Sequence, residues 1–155
     1  MFMNTWAWIA TLLLLSGCAS QPLSKDHDQV LSEVADVVQR DSGGSGERQD
    51  LQLLVTQINS HGQLPDRLVI VAGGGVERFN VRDMFAKVSQ SPNGRFLMFG
   101  ANPALDKAIV GGALSGQRFP RVWLFFVGEP GQEQEMRSIV EAAGIRYSFI
   151  SKYKK

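Results

Sequence analysis

Two rhythms of apolar residues divide this chain. From Trp6 to Leu15 the side chains are apolar except for Thr11, and no charged residue precedes Lys25. From Gln29 the spacing becomes helical. Val30, Leu31, Val34, Val37 and Val38 share one face and Glu33, Asp36 and Gln39 the other, predicting an amphipathic helix. Asp41-Ser-Gly-Gly-Ser-Gly46 opens a Gly/Ser-rich loop over 41–48 that breaks it. A second helix is predicted around Leu51, Leu54, Val55 and Ile58.

Beyond this point short apolar runs alternate with helical patterns. Leu68 to Ala72, rich in β-branched residues, is predicted as a first strand, and Val81, Met84, Phe85 and Val88 mark a helix capped by Asn80. Phe96 to Phe99 is predicted as a second strand, and Asn102-Pro103 as a cap with proline in the first helical position, ahead of Leu105, Ala108 and Ile109. Val122 to Val127 makes a third strand. Pro130 opens a helix carrying Met136, Ile139, Val140 and Ala143, which Gly144 ends, and Ile145 to Ile150 makes a fourth strand. Strand, helix and strand in alternation predict a three-layer α/β fold on a four-stranded, mainly parallel sheet, preceded by two amphipathic helices. Runs apolar on both faces place the first and third strands centrally, and the alternation of Arg146 and Ser148 with Tyr147 and Phe149 places the fourth at an edge. An order of 2-1-3-4 satisfies these constraints.

The opening segment changes the picture of where such a domain resides. An apolar run followed at once by small residues has the layout of an exported precursor. Leu15-Ser16-Gly17-Cys18 resembles the lipobox of bacterial lipoproteins. That resemblance implies a signal peptide over 1–17, cleavage before Cys18, and diacylglycerol and fatty acyl groups on that cysteine. Ala19, where the family's inner-membrane proteins tend to carry Asp, implies lipid anchoring at the outer membrane with the domain in the periplasm. Met1 to Thr5 lacks the Lys or Arg of an export leader, which bears on the position of the start codon. An uncut transmembrane helix is the competing reading of the same run.

About 138 of the 155 residues would remain, enough for one domain with a core of its own: a flexible tether over 18–28, the domain over 29–151 and a basic tail over 152–155. With the single cysteine committed to lipid, no disulfide or thiol chemistry is expected. A formal net charge of +1 gives no electrostatic footprint for nucleic acid.

Candidate chemistry is sparse. Asp41-Ser42-Gly43-Gly44 resembles the segment around the nucleophile of trypsin-like serine proteases over four residues. That family is all-β and draws its base from a histidine, whereas here helices are predicted, His27 falls in the tether and His61 in a loop, so the segment reads as a linker. Gly73-Gly74-Gly75, with Arg78, follows a predicted strand and precedes a helix, where backbone amides could approach a small anionic ligand. It lacks the spacing of a nucleotide-binding loop and reads first as a permissive turn. Asn102 would join that site at the strand carboxyl ends. Gly112 and Gly116 have small-residue spacing on a helix too short and too charged to span a membrane. Trp123, Phe125 and Phe126 read as core. No catalytic set, metal site or cofactor is expected.

The sequence therefore points to a non-enzymatic, lipid-anchored accessory component of an envelope assembly for secretion, pilus, conjugation or envelope maintenance. It would touch the membrane through its lipid and bind an envelope protein at the edge strand, through Arg146, Tyr147, Ser148 and Phe149. The alternative is a periplasmic small-ligand binder using Gly73, Gly74, Gly75, Arg78 and Asn102. An envelope enzyme of unrecognised type is a weaker alternative.

Overall fold

The computed structural model describes residues 22–43 and 52–154. Cys18 with the apolar run before it, Leu51, and the Gly/Ser segment from residue 44 lie outside the described residues. The element order is α1 (His27–Asp41), β1 (Leu54–Gln57), α2 (Gln63–Val71), α3 (Glu77–Val88), β2 (Gly94–Phe99), α4 (Pro103–Leu114), β3 (Val122–Gly128), a single 3₁₀ turn at Pro130–Gln132, α5 (Glu133–Ala142) and β4 (Arg146–Ser151). The strands form one all-parallel, four-stranded sheet in the order β1-β2-β3-β4.

A sequential order fixes the layers. Right-handed crossovers that step in one direction carry their helices to one face, and there α2 to α5 pack. Leu54, Phe96, Leu124 and Tyr147 form one row across that face, and Met98, Phe126 and Phe149 the next. The opposite face is covered by α1, whose buried Val30, Val34 and Val38 rest on Leu97, Phe125, Val127 and Ile150. This is the three-layer α/β arrangement that the alternation predicts, with α1 as the third layer among the described residues. Val55 and Gln57, in the edge strand β1, lie beyond its reach and are exposed.

Two segments exchange roles relative to the sequence reading. Leu54 to Gln57, expected in a helix, is a strand; its Leu54 and Ile58 point into the helix-covered face, so a spacing that fits a helix also fits alternation. Leu68 to Val71, expected as a central strand, ends α2. Its β-branched residues cost at most about 0.7 kcal/mol each in a helix, and packing of Val69 and Ile70 against the core outweighs that. Among the described residues α1 is thus the one amphipathic helix ahead of the sheet, the 2-1-3-4 order does not form, and β2 and β3 are central. β4 lies at an edge, as its alternation predicts.

Asn102 caps α4 by accepting the Leu105 N–H at 3.0 Å, ahead of Pro103. Asn80 does not cap: α3 starts three residues earlier, at Glu77. Both ends of the stretch between residues 22 and 154 are tied down. Asp26 and Gln29 form a capping box on α1, Ser24 bridges Tyr153, and the Lys25 and Lys154 amides donate to Lys152 and Leu23 carbonyls. Leu23 to Lys25, expected in the flexible tether, therefore pair with Lys152 to Lys154 of the basic tail.

Candidate functional site

The carboxyl ends of the strands, where open α/β sheets hold ligands, carry a polar brace. Asp66 accepts from Ser60 Oγ at 2.5 Å, from the His61 amide at 2.9 Å and from Asn102 Nδ2 at 3.5 Å, tying the start of α2 to the start of α4. The Ser60 hydroxyl and then the His61 amide hold its carboxyl below the ordinary range. Asp106, only 1% exposed, accepts from the Ala101 amide at 2.7 Å and from Gln132 Nε2 at 3.0 Å. Burial pushes its carboxyl upward, against the pull of those bonds. Gln132 Oε1 accepts from the Glu129 amide, and Glu129 pairs with Lys152 at 2.7 Å. Each carboxylate is met by donors from a neighbouring element, so the brace fastens helix starts to strand ends. The Ser60 hydroxyl meets in Asp66 a carboxyl held below its ordinary range and so a weak base, and among the described residues no group of three or more His, Cys, Asp or Glu is placed to hold a metal ion.

The expected ligand set is divided by this arrangement. Asn102 belongs to the brace. Gly73, Gly74 and Gly75 lie in the turn between α2 and α3, all with positive φ (62°, 98° and 54°), a run that side chains with a Cβ adopt at a cost. A Cβ on Gly74 would also meet the Ala108 carbonyl oxygen at 2.6 Å. The glycines therefore serve a tight helix-to-helix turn packed on α4. Gly73 and Arg78 nevertheless come together elsewhere, in a groove of about 810 Å³ between that turn and α4.

Arg78 Nη1 donates to the Ala72 and Gly73 carbonyls at 3.2 and 3.3 Å, and Arg82 donates through Nε to Ala113 and through Nη2 to Gly112 at 2.9 and 3.0 Å. These bonds satisfy carbonyls at the ends of α2 and α4 and fix both guanidinium groups along the groove, 4.7 and 5.6 Å from the centre of the Phe79 ring. Neither arginine pairs with a carboxylate among the described residues. Lys107 pairs with Glu135 across its rim.

Beside this groove α2 is apolar on both sides. Val69 and Ile70 face the core, while Leu64, Leu68 and Val71, spaced i, i+4, i+7, are 75%, 73% and 88% exposed. Val76 (75%) and Phe79 (46%), in the turn and helix that follow, are exposed as well. Residues at that spacing share one face of the helix, and an exposed apolar patch marks an interaction surface. The signal was present in the spacing of Leu64, Leu68 and Val71, but the β-branched run beside it hid the helix. Arg82, Phe79, Asp66 and Asp106 were not singled out either, because tertiary contacts alone bring them to these places.

The expected edge-strand contacts are engaged within the domain. Arg146 stacks on the Trp123 ring at 3.6 Å and binds Asp41; Ser148 accepts from Trp123 Nε1 at 2.9 Å; Tyr147 and Phe149 pack toward the α5 side. What β4 leaves to a partner is its outer backbone edge. Among the described residues no helix is long and apolar enough to cross a membrane. Comparison of the chain with protein-family models, with curated proteins and with solved structures gives no match.

Proposed function

We propose that this chain is a lipid-anchored, non-enzymatic envelope protein whose α/β domain binds another protein of an envelope assembly, with the outer face of α2 as the contact surface. The observation that carries this reading is the exposure of Leu64, Leu68 and Val71 on a helix whose other side is already packed. Fully burying one such side chain contributes roughly 1.5–3 kcal/mol, so three of them supply a binding surface of ordinary strength. The lipobox at Cys18 supports anchoring at the outer membrane with the domain in the periplasm. Affinity capture from membranes tests the reading, with intact-mass analysis for the acyl groups. One envelope protein recovered with wild type and lost with Leu68→Glu is the expected outcome. Equal recovery with both chains removes α2 as the surface, and an uncut, lipid-free chain removes the anchor.

A second reading, a small-ligand binder, rests on the fixed guanidinium groups of Arg78 and Arg82 along an open groove. It requires thermal stabilisation by a small carboxylate or phosphate ester that Arg78→Ala removes, in a protein whose α2 face captures nothing.

A further inference from the structure

We infer that the groove between the α2–α3 turn and α4 binds a phosphate monoester, with the phosphoryl group held by Arg78 and Arg82 and an uncharged organic part in the rest of the groove. This inference goes beyond the protein-binding reading, and it deepens the small-ligand reading, on which it rests, by naming the class of ligand. Of α2 the groove takes Ile70, whereas Leu64, Leu68 and Val71 do not line it. A ligand here therefore leaves the outer face of α2 free.

Hydrogen bonding and charge select the anion. Arg78 is held through Nη1 alone, by the Ala72 and Gly73 carbonyls. Its Nε and Nη2, uncommitted among the described residues, share one edge of the guanidinium plane and form the fork that donates to two oxygens of a carboxylate or a phosphate. Arg82, one helical turn on, spends that same edge on the Ala113 and Gly112 carbonyls and keeps Nη1. Because backbone carbonyls already hold both side chains, an anion binds without ordering them afresh. Three cations line the groove, Arg78, Arg82 and Lys107, and no acid does. Glu135 answers Lys107, and neither arginine has a carboxylate partner among the described residues. Two uncompensated guanidinium groups match the nearly doubly charged phosphate monoester of neutral pH. A carboxylate would leave one of them unanswered.

Size adds the organic part. A cavity of about 810 Å³ has the dimensions of a small-molecule site and exceeds what one phosphoryl group fills. Ile70, Phe79 and Ala108 also line it, and nothing lies within 4 Å of where a Cβ on Gly111 would stand. Apolar side chains with open space over a glycine suit an uncharged ring or chain attached to the phosphate.

Isothermal titration of the full chain with phenyl phosphate, benzoate and inorganic phosphate tests the inference. The expected result is saturable binding of phenyl phosphate, about tenfold tighter than either of the others. Arg78→Lys keeps the charge but loses the fork, and should weaken phenyl phosphate about tenfold, whereas Arg121→Lys, ahead of β3 and outside the groove, should change nothing. Because Arg78 also answers carbonyls at the end of α2, Gly111→Leu supplies an independent check: its side chain enters open space in the groove, so thermal melts should show the fold intact while phenyl phosphate binding is lost. Dihexanoyl phosphatidic acid carries the same monoester as a lipid headgroup. Tighter binding than phenyl phosphate assigns the ligand to a lipid, and weaker binding to a soluble ester. Phenyl phosphate binding unchanged in Gly111→Leu or in Arg78→Lys overturns the inference. Benzoate or inorganic phosphate bound as tightly as phenyl phosphate overturns it too and leaves the small-ligand reading standing; no binding of any titrant sinks both.

Discussion

Asp41, the last residue of α1, and Arg146, the first of β4, meet through two hydrogen bonds, of 2.8 and 2.5 Å, across 105 positions of sequence. The guanidinium also lies flat on Trp123, so one residue joins the helix that covers the lone face to the sheet beneath it. The Arg146 hydrogen bonds hold the Asp41 carboxyl below its ordinary value of 3.8. A depressed carboxylate contributes stability above that ordinary value and loses it as pH falls through the folded value. Urea titrations of wild type and Asp41→Asn should therefore show a constant gap at neutral pH that closes below about pH 4. A gap independent of pH would mean that the ion pair is not its source.

Asp106 has the opposite sign. Burial raises its folded pKa, so the folded state retains a proton that the unfolded chain has released, and stability falls as pH rises from the ordinary value of 3.8 to the raised one. Asp106→Asn abolishes this titration. The advantage of wild type over that variant should shrink with rising pH across this window and then level off. Asp106→Ala also strips the Ala101 amide and Gln132 of their acceptor, at about 1–3 kcal/mol. Chemical denaturation at several pH values measures both effects.

Gly111 and Gly112 are neighbours on α4 with opposite expectations. A Cβ on Gly112 would fall on the Gly73 carbonyl oxygen, whereas nothing lies within 4 Å of one on Gly111. Gly112→Ala should destabilise the domain by about 1–3 kcal/mol. Gly111→Ala should stabilise it by up to about 1 kcal/mol, by restoring helix propensity. Thermal melts that ranked the two alike would contradict the packing of the α2–α3 turn on α4.

Leu68→Glu should leave the unfolding free energy within about 0.5 kcal/mol of wild type, because the side chain contributes little to the domain's own core. Binding of a hydrophobic dye should fall. A large loss of stability would show that the outer face of α2 already serves the fold.

Much of this architecture was legible in the pattern of apolar residues. Val122 to Val127 is apolar on both faces and is central. Asn102-Pro103 caps a helix, and Arg146 to Phe149 alternates and lies at an edge. The exchange between β1 and α2 was not legible, for a physical reason. Leu54, Thr56 and Ile58 on one face and Leu54, Val55 and Ile58 on a helical stripe are nearly the same residues. Val69-Ile-Val71 has strand propensity that packing on the core overrides. That ambiguity also concealed the groove, which exists only once α2 is a helix. Of the residues proposed for a ligand, Gly73 and Arg78 meet in the groove, while Asn102 is drawn away by its contact with Asp66.

The pairing of Leu23 to Lys25 with Lys152 to Lys154 also sets the route by which mechanical load enters the domain. A pull on the chain ahead of Pro22 is borne first by the amide-to-carbonyl bonds at Lys25 and Lys154, then by the capping box of α1. Those amide-to-carbonyl bonds lie at the end of β4, on the far side of the sheet from β1. Tension on Leu23 to Lys25 is therefore spent in peeling Lys152 to Lys154 from the start of the domain, at the margin of the sheet opposite β1.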